Sequence, residues 1–373
     1  MKQPLAGIKV LDFSTLLPGP MCTLMLAEAG AEVIKIERPG QGDEMRTYAP
    51  QVGPDSVNFA MLNRGKRSIA LDLKDPTALE RLRPLLVEAD VLVEQFRPGV
   101  MERLGLGYSA LQAINPALIY CAITGYGQTG PHAGVAAHDL NYMAQSGLLS
   151  LAAGSDGAPV VPPALIADIA GGAYPAMINI LLALRQRDLT GQGCQLDIAM
   201  SDNLFPFMYW ALGEGAVGGQ WPAPAQSLVT GGSPRYQIYR TRDDRFVAAA
   251  PLEQRFWETF CATIGLAAEF IDDKRDPLAT RQAVAACIAQ KSAAQWCSEF
   301  EGKDVCSCIV SSVQEAVADP QFVGRGLFSH QVATDQGPIG AVPIPVLDAF
   351  RKNVSQSFPR LGQDNDLLGS ACD

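Results

Sequence analysis

At 373 residues, with a formal net charge of −10 and 48% apolar residues, the chain is a folded protein long enough for two domains and a sizeable buried core. The acidic balance excludes a general nucleic-acid binder, which needs a basic face against phosphates. Nine scattered cysteines, an odd number, exclude a secreted disulfide framework and point to a reducing cytoplasm; with three histidines and no zinc spacing, CSC at Cys306 and Cys308 included, no metal site is expected.

The N-terminal MKQPLAGIKVLDF carries no apolar signal segment, and GIKVLDFS within it reads as a strand. PMCTLMLAEAGA follows as a helix entered through Gly19 and Pro20, and AEVIKIER returns to strand. The cycle repeats through SIALDLK, DPTALERLRPLLVEA, DVLVEQF, the helical YSALQAI and the strand ALIYCAITGYG. Such alternation predicts βαβ units and an α/β domain with a mostly parallel sheet and helices on both faces. The longest apolar run, residues 162–184, holds Asp168, Pro175 and a Gly pair, so it reads as a buried helix of a globular core rather than a membrane span.

From Gly213 to Pro234 the chain is rich in Gly, Pro, Ala and Ser, the composition of a linker or long loop. RYQIYRTRDDRFVAAA alternates around a DD turn as a hairpin does, and EQRFWETFCATIG and TRQAVAACIAQKSAAQWCSEF read as helices. The expected organisation is a large Rossmann-like α/β domain over 1–200, a linker at 201–224, a smaller α+β domain over 225–325, and a segment at 326–373 that returns to the large domain.

The first βα turn, DFSTLLPGPMCT, has no GxGxxG to admit a pyrophosphate, and no GxSxG elbow exists, so a nicotinamide dehydrogenase and a serine hydrolase are both disfavoured. Basic residues gather in the first third: Arg38 after one strand, Arg64, Lys66, Arg67 and Lys74 around another, Arg97 and Arg103 after a third. Bases at the ends of successive strands suit a polyphosphate, although a solvated face balanced by Asp and Glu gives the same pattern. Asp168 lies inside an apolar run, where a carboxylate is costly to ionise, so it is hydrogen-bonded structure or the wall of a site. His138 and Asp139 are adjacent, and adjacent side chains diverge by about 100° on a helix, so they cannot share one target. A working partner for either must come from elsewhere in the chain.

Together LAGIKVLDFSTLLPGPMCTLMLAEAGAEVIKIERPGQGD, NRGKRSIALDLK, EQFRPGVMERLGLGY, ITGYGQTGP, AAHDLNY, IADIAGG and GGSPRYQIYR closely resemble the family III CoA-transferase (CaiB/BaiF-type) fold family, and within it the α-methylacyl-CoA racemases. The resemblance implies an acyl-CoA substrate, no cofactor beyond the CoA of that substrate, and a homodimer whose chains interlock like linked rings. It places CoA contacts on Arg38, Leu71, Lys74, Gln95, Phe96, Arg97 and Arg103, the last two in EQFRPGVMER. For the racemase branch it implies His138 and Asp168 as the acid–base pair and Glu253, in APLEQRFW, behind His138 in its own or the partner's site. For the transferase branch it implies Asp139 as a nucleophile that attacks the thioester. A CoA-ester binding protein without catalysis is a third reading. The implied function is a racemase of 2-methyl-branched acyl-CoA esters working by proton transfer through an enolate in the cytoplasm, without nucleic-acid or membrane partners.

Overall fold

The computed structural model describes residues 3–154, 156–351 and 355–369, which form two compact units. The first comprises 1–146, 162–206 and 321–373; the second comprises 147–161 and 207–320.

The first unit is built on six strands: β1 (Lys9–Asp12), β2 (Glu32–Glu37), β3 (Arg67–Ala70), β4 (Val91–Glu94), β5 (Ile119–Thr124) and β6 (Gln195–Ala199). They pair in the order β3-β2-β1-β4-β5-β6, every pair parallel, as in a Rossmann sheet. The strands are nearly continuous apolar runs because both faces are covered. Leu11, Ile34, Leu92 and Tyr120 face α3 (Ala78–Glu88) and α5 (Tyr108–Ile114), packing on Leu82, Leu86 and Leu111. The opposite face receives α1 (Pro18–Glu28), which packs against α2 (Val57–Asn63) and α7 (Tyr174–Thr190). All of α1 is buried, which explains why it is apolar all round. Each buried Leu or Met in it contributes roughly 1.5–3 kcal/mol of transfer free energy.

The apolar run at 162–184 is helical from Ile166 onward, but it is not buried throughout. Ala176, Ile180, Ala183 and Leu184 of α7 are buried, whereas Ile178 is 57%, Leu182 63% and Leu189 71% exposed on the single chain. A short sheet formed by Gln331–Ala333, Ile339–Gly340 and Ser355–Ser357 returns the C-terminal segment to this unit. There Val332 and Ala341 pack on Ala60 of α2, and Arg351 pairs with Glu28 of α1 at 2.7 Å.

In the second unit β7 (Gln237–Arg240) and β8 (Phe246–Ala249) form the hairpin around the DD turn, with Asp244 at φ 57°, and Ser307–Ile309 adds a third antiparallel strand. Three helices, α9 (Gln254–Ile264), α10 (Pro277–Ile288) and α11 (Ala293–Phe300), bury Trp257, Phe260, Trp296 and Phe300 against it. Both indole N–H groups are satisfied, Trp257 by Ile271 O and Trp296 by Ile288 O, each at 2.8 Å. The glycine-rich stretch at 201–224 is more than a linker: Asp202–Met208 is 3-10 helical and α8 (Tyr209–Gly218) is an α-helix. Glycine is tolerated there because Gly215 meets Trp221 so closely that a Cβ would lie 2.2 Å from the indole, while Ala211 and Met208 pack with Leu151.

Candidate active site

Two cavities open at the carboxyl ends of the strands, beside the point between β1 and β4 where the strand order reverses, the usual ligand position of an open α/β sheet. Both lie wholly within the first unit, and Thr15, Glu44 and Phe96 line both.

The first, about 480 Å³, is lined by Phe13, Ile36 and Leu71 below and by Arg38, Lys74 and Arg103 at its rim. Leu71 is buried, whereas the three bases are exposed. Arg38 is held by a bond from its Nε to Gly42 O at 3.1 Å and by a long approach, 3.9 Å, to Glu44. Arg103 sits at the C-terminal end of the short α4 (Val100–Arg103). Three cations over an apolar floor suit a ligand with anionic groups at one end and an apolar body.

The second cavity, about 470 Å³, brings together Gln95, Phe96, Arg97, His138 and Asp168 with Leu16, Ile123, Tyr126, Tyr142 and Met200. The EQF triplet after β4 is a built turn. Buried Glu94 accepts the Phe96 N–H at 2.7 Å, and Gln95 Oε1 accepts the Gly19 N–H at 3.0 Å. Burial pushes the Glu94 carboxyl up to about 7, against the Phe96 N–H that favours its ionised form. With prolines at 18 and 20 and the Gly19 N–H committed to Gln95, the start of α1 lacks the free amides that a dinucleotide fold offers to pyrophosphate. Gly19 is required because a Cβ would lie 2.1 Å from that of Ser14.

His138 caps the N-terminus of α6 (Asp139–Gln145), with extended backbone at φ −130°. Its N–H donates to Asn141 Oδ1 at 3.0 Å, and the ring side of the residue is exposed toward the cavity. Tyr142, one turn on, donates from its hydroxyl to Ala137 O at 2.7 Å, anchoring the residue before His138. Gly125 admits the Tyr142 ring, which would lie 2.4 Å from a Cβ there. Asp168 enters from a π-helical turn, Ala167–Ala173, that leads directly into α7, and such turns recur at functional sites. Its two glycines allow the approach: a Cβ on Gly171 would lie 2.5 Å from Met200 O, and one on Gly172 would lie 3.1 Å from Pro18 Cβ.

Burial first, and then the Asp139 carboxylate, push the Asp168 carboxyl up to about 6, with His138 opposing. Asp139 is 6% exposed and is absent from the cavity wall; its Oδ1 accepts the Asp168 N–H at 2.9 Å. Glu253 belongs to the second unit, where it is exposed as the N-cap residue of α9.

One wall of this cavity was illegible in the sequence. Leu16 adopts φ 62°, the left-handed region, which costs an L-residue about 1–2 kcal/mol. Its N–H donates to both oxygens of Asp43, at 3.1 and 3.2 Å, and Asp43 is fully buried against Lys35 at 2.9 Å. Lys35 also donates to Ser14 O at 2.6 Å. Burial pulls the Lys35 ammonium down, but Asp12, Asp43 and Glu37 outweigh it and raise it on balance. The only sequence signal was Asp43 in QGDE, an aspartate placed to cap the helical turn at Glu44–Thr47.

The chain is 36% identical over 350 residues to the human alpha-methylacyl-CoA racemase, covering 92% of this chain and 86% of that one. It is 34% identical over 376 residues to the human succinyl-CoA:glutarate CoA-transferase, covering 97% and 84%. Its fold superposes on the crystal structure of a CAIB/BAIF family protein from Brucella suis with a TM-score of 0.83 at 29% identity, over 98% of each chain. The model of CoA-transferase family III matches residues 5–365, and the protein belongs to that family of enzymes.

Proposed function

We propose that the protein racemises the α-carbon of 2-methyl-branched acyl-CoA thioesters by proton transfer through an enolate. The observation that carries this reading is His138 and Asp168 on one cavity, with the Asp168 carboxyl raised into the range where an imidazole titrates. Racemisation needs a base on one face of the carbon and an acid on the other, exchanging roles with direction. In one direction neutral His138 takes the α-proton and protonated Asp168 supplies one from the opposite face. In the other, the Asp168 carboxylate takes the proton and the His138 imidazolium supplies it. Both resting forms carry one proton between the two groups, and raising the Asp168 carboxyl to about 6 makes its protonated form accessible nearer neutral pH.

In this reading Arg38, Lys74 and Arg103 hold the phosphates of CoA over Leu71 and Phe96, and Gln95 and Arg97 border the passage to the reacting carbon. Glu253, from its own or a partner chain, orients the far nitrogen of His138. The chemistry asks for no metal and no cofactor beyond the CoA of the substrate. The exposed Ile178, Leu182 and Leu189 of α7 support a homodimer.

A second reading, transfer of CoA between carboxylic acids with Asp139 as nucleophile, is favoured by the retained aspartate and by the 34% identity to a transferase. Against it, Asp139 is buried and occupied by the Asp168 N–H. Substitution separates the two. In the racemase reading His138→Ala and Asp168→Ala each lower α-proton exchange by about 10²–10⁴-fold with CoA affinity near wild type, and Asp139→Asn, which keeps an acceptor for the Asp168 N–H, retains exchange within about tenfold. If both alanine variants exchange at near wild-type rates, or if hydroxylamine traps an acyl adduct at Asp139, the racemase reading fails.

A further inference from the structure

Among the described residues, four non-glycines hold a positive φ, namely Leu16, Ala225, Asp244 and Cys306, against twenty glycines. The chain thus supplies glycine where a left-handed residue is needed and no side chain is wanted. Asp244 is a hairpin-turn residue, a usual exception, whereas a leucine there is an outlier. Leu16 is the one of the four that lines either cavity at the sheet's carboxyl edge. It is half-buried, and its strained backbone is held from beneath by a buried ion pair, Asp43 with Lys35, that binds its N–H through both carboxylate oxygens. An outlier that the surroundings over-determine, at the wall of a reaction cavity, marks a side chain that the site uses.

The geometry points to Leu16 as a residue that sets acyl-chain specificity: its isobutyl group is the wall of the reaction cavity against which the hydrocarbon next to the reacting carbon packs. The inference rests on the reading of that cavity as an acyl-thioester site, and it holds for either racemisation or transfer. Asp43 faces the CoA-side cavity while its carboxylate fixes Leu16 on the other, so the ion pair is a positioning element joined to both. Ile123, Val135 and Met200 line the same cavity, so a hydrocarbon chain beside Leu16 has further apolar partners alongside the polar groups of Gln95, Arg97, His138 and Asp168.

The test is kinetic. Leu16→Ala and Leu16→Gly are assayed on 2-methylbutanoyl-CoA, 2-methyldecanoyl-CoA and 2-phenylpropanoyl-CoA, using whichever reaction the wild type catalyses. The expected result is a rise in the kcat/KM ratio of the bulky esters to the small one by about tenfold or more in both variants. Inhibition by free CoA, whose phosphates are assigned to Arg38, Lys74 and Arg103 in the adjoining cavity, stays within about twofold of wild type. Leu16→Gly relieves the left-handed strain while Leu16→Ala keeps it, so a specificity change shared by both, with thermal unfolding of each measured alongside, separates specificity from instability. Ratios unchanged in both variants, with the wild type active, overturn the role of Leu16 alone. A wild type that turns over no CoA ester overturns the acyl-thioester reading, and the inference with it.

Discussion

In the proposed mechanism Asp168 concentrates the chemistry in one titration. A carboxyl raised by burial and by Asp139 is retained at a cost, because folding disfavours its charged form. An acid whose folded pKa is raised to about 6 contributes its stability fully below its unfolded value, about 4, and loses it as the pH climbs through the folded value. Asp168→Asn removes that loss while ending proton transfer. The variant is therefore expected to exceed the wild type in Tm by more at pH 8 than at pH 4.5, as thermal unfolding across that range will show; a pH-independent difference would mean that Asp168 is not strained in the folded state. A carboxylate inside an apolar run and a histidine beside an aspartate are chemical anomalies that single out Asp168 and His138 in sequence, while their pairing came from the family resemblance and the structure puts both on one cavity. What sequence concealed was that Asp139 turns inward to hold the Asp168 backbone, a contact across 29 positions that no local pattern encodes. Leu16 was hidden for a different reason: leucine carries no signal of a left-handed backbone, and the Asp43–Lys35 pair that enforces it is assembled only in the fold.

The strand–helix alternation of the first two hundred residues was legible because buried parallel strands and helices of this length carry distinct patterns. The fate of residues 201–224 was not, because Gly and Pro content is the same in a linker and in a short helix in which one glycine, Gly215, accommodates a tryptophan. The π-helical turn that presents Asp168 was likewise beyond sequence, although the reason for IADIAGG is plain in the structure: the two glycines let the helix start against Met200 and Pro18. Gly171→Ala would place a methyl 2.5 Å from the Met200 carbonyl oxygen, so the turn must move away from the end of β6 and carry Asp168 with it. The expected outcome is a loss of roughly 1–3 kcal/mol in stability and about 10²-fold in rate, since catalytic geometry tolerates little displacement. Chemical denaturation beside a steady-state assay checks both, and an active, stable variant would show that the glycine is not what sets the turn.

For the molecule as a whole, the two cavities side by side at the switch point of a 3-2-1-4-5-6 sheet give one site, with a rim of cations over an apolar floor in one half and His138 and Asp168 in the other. The exposed face of α7 belongs to the same scale: apolar side chains left bare on a single chain are expected to be covered by a second copy. Light scattering should give a dimer, with Leu182→Lys shifting the population toward monomer; a monomeric wild type at micromolar concentration would refute this. The central claim, proton transfer at the α-carbon without an acceptor acid, is tested most directly by proton NMR of a single enantiomer of 2-methyldecanoyl-CoA with the enzyme in heavy water. Racemisation makes the α-proton signal disappear and the 2-methyl doublet collapse as deuterium enters, with both enantiomers formed, in the absence of any carboxylic acid. An α-proton that persists until a carboxylic acid is added, when CoA moves to that acid, would contradict it.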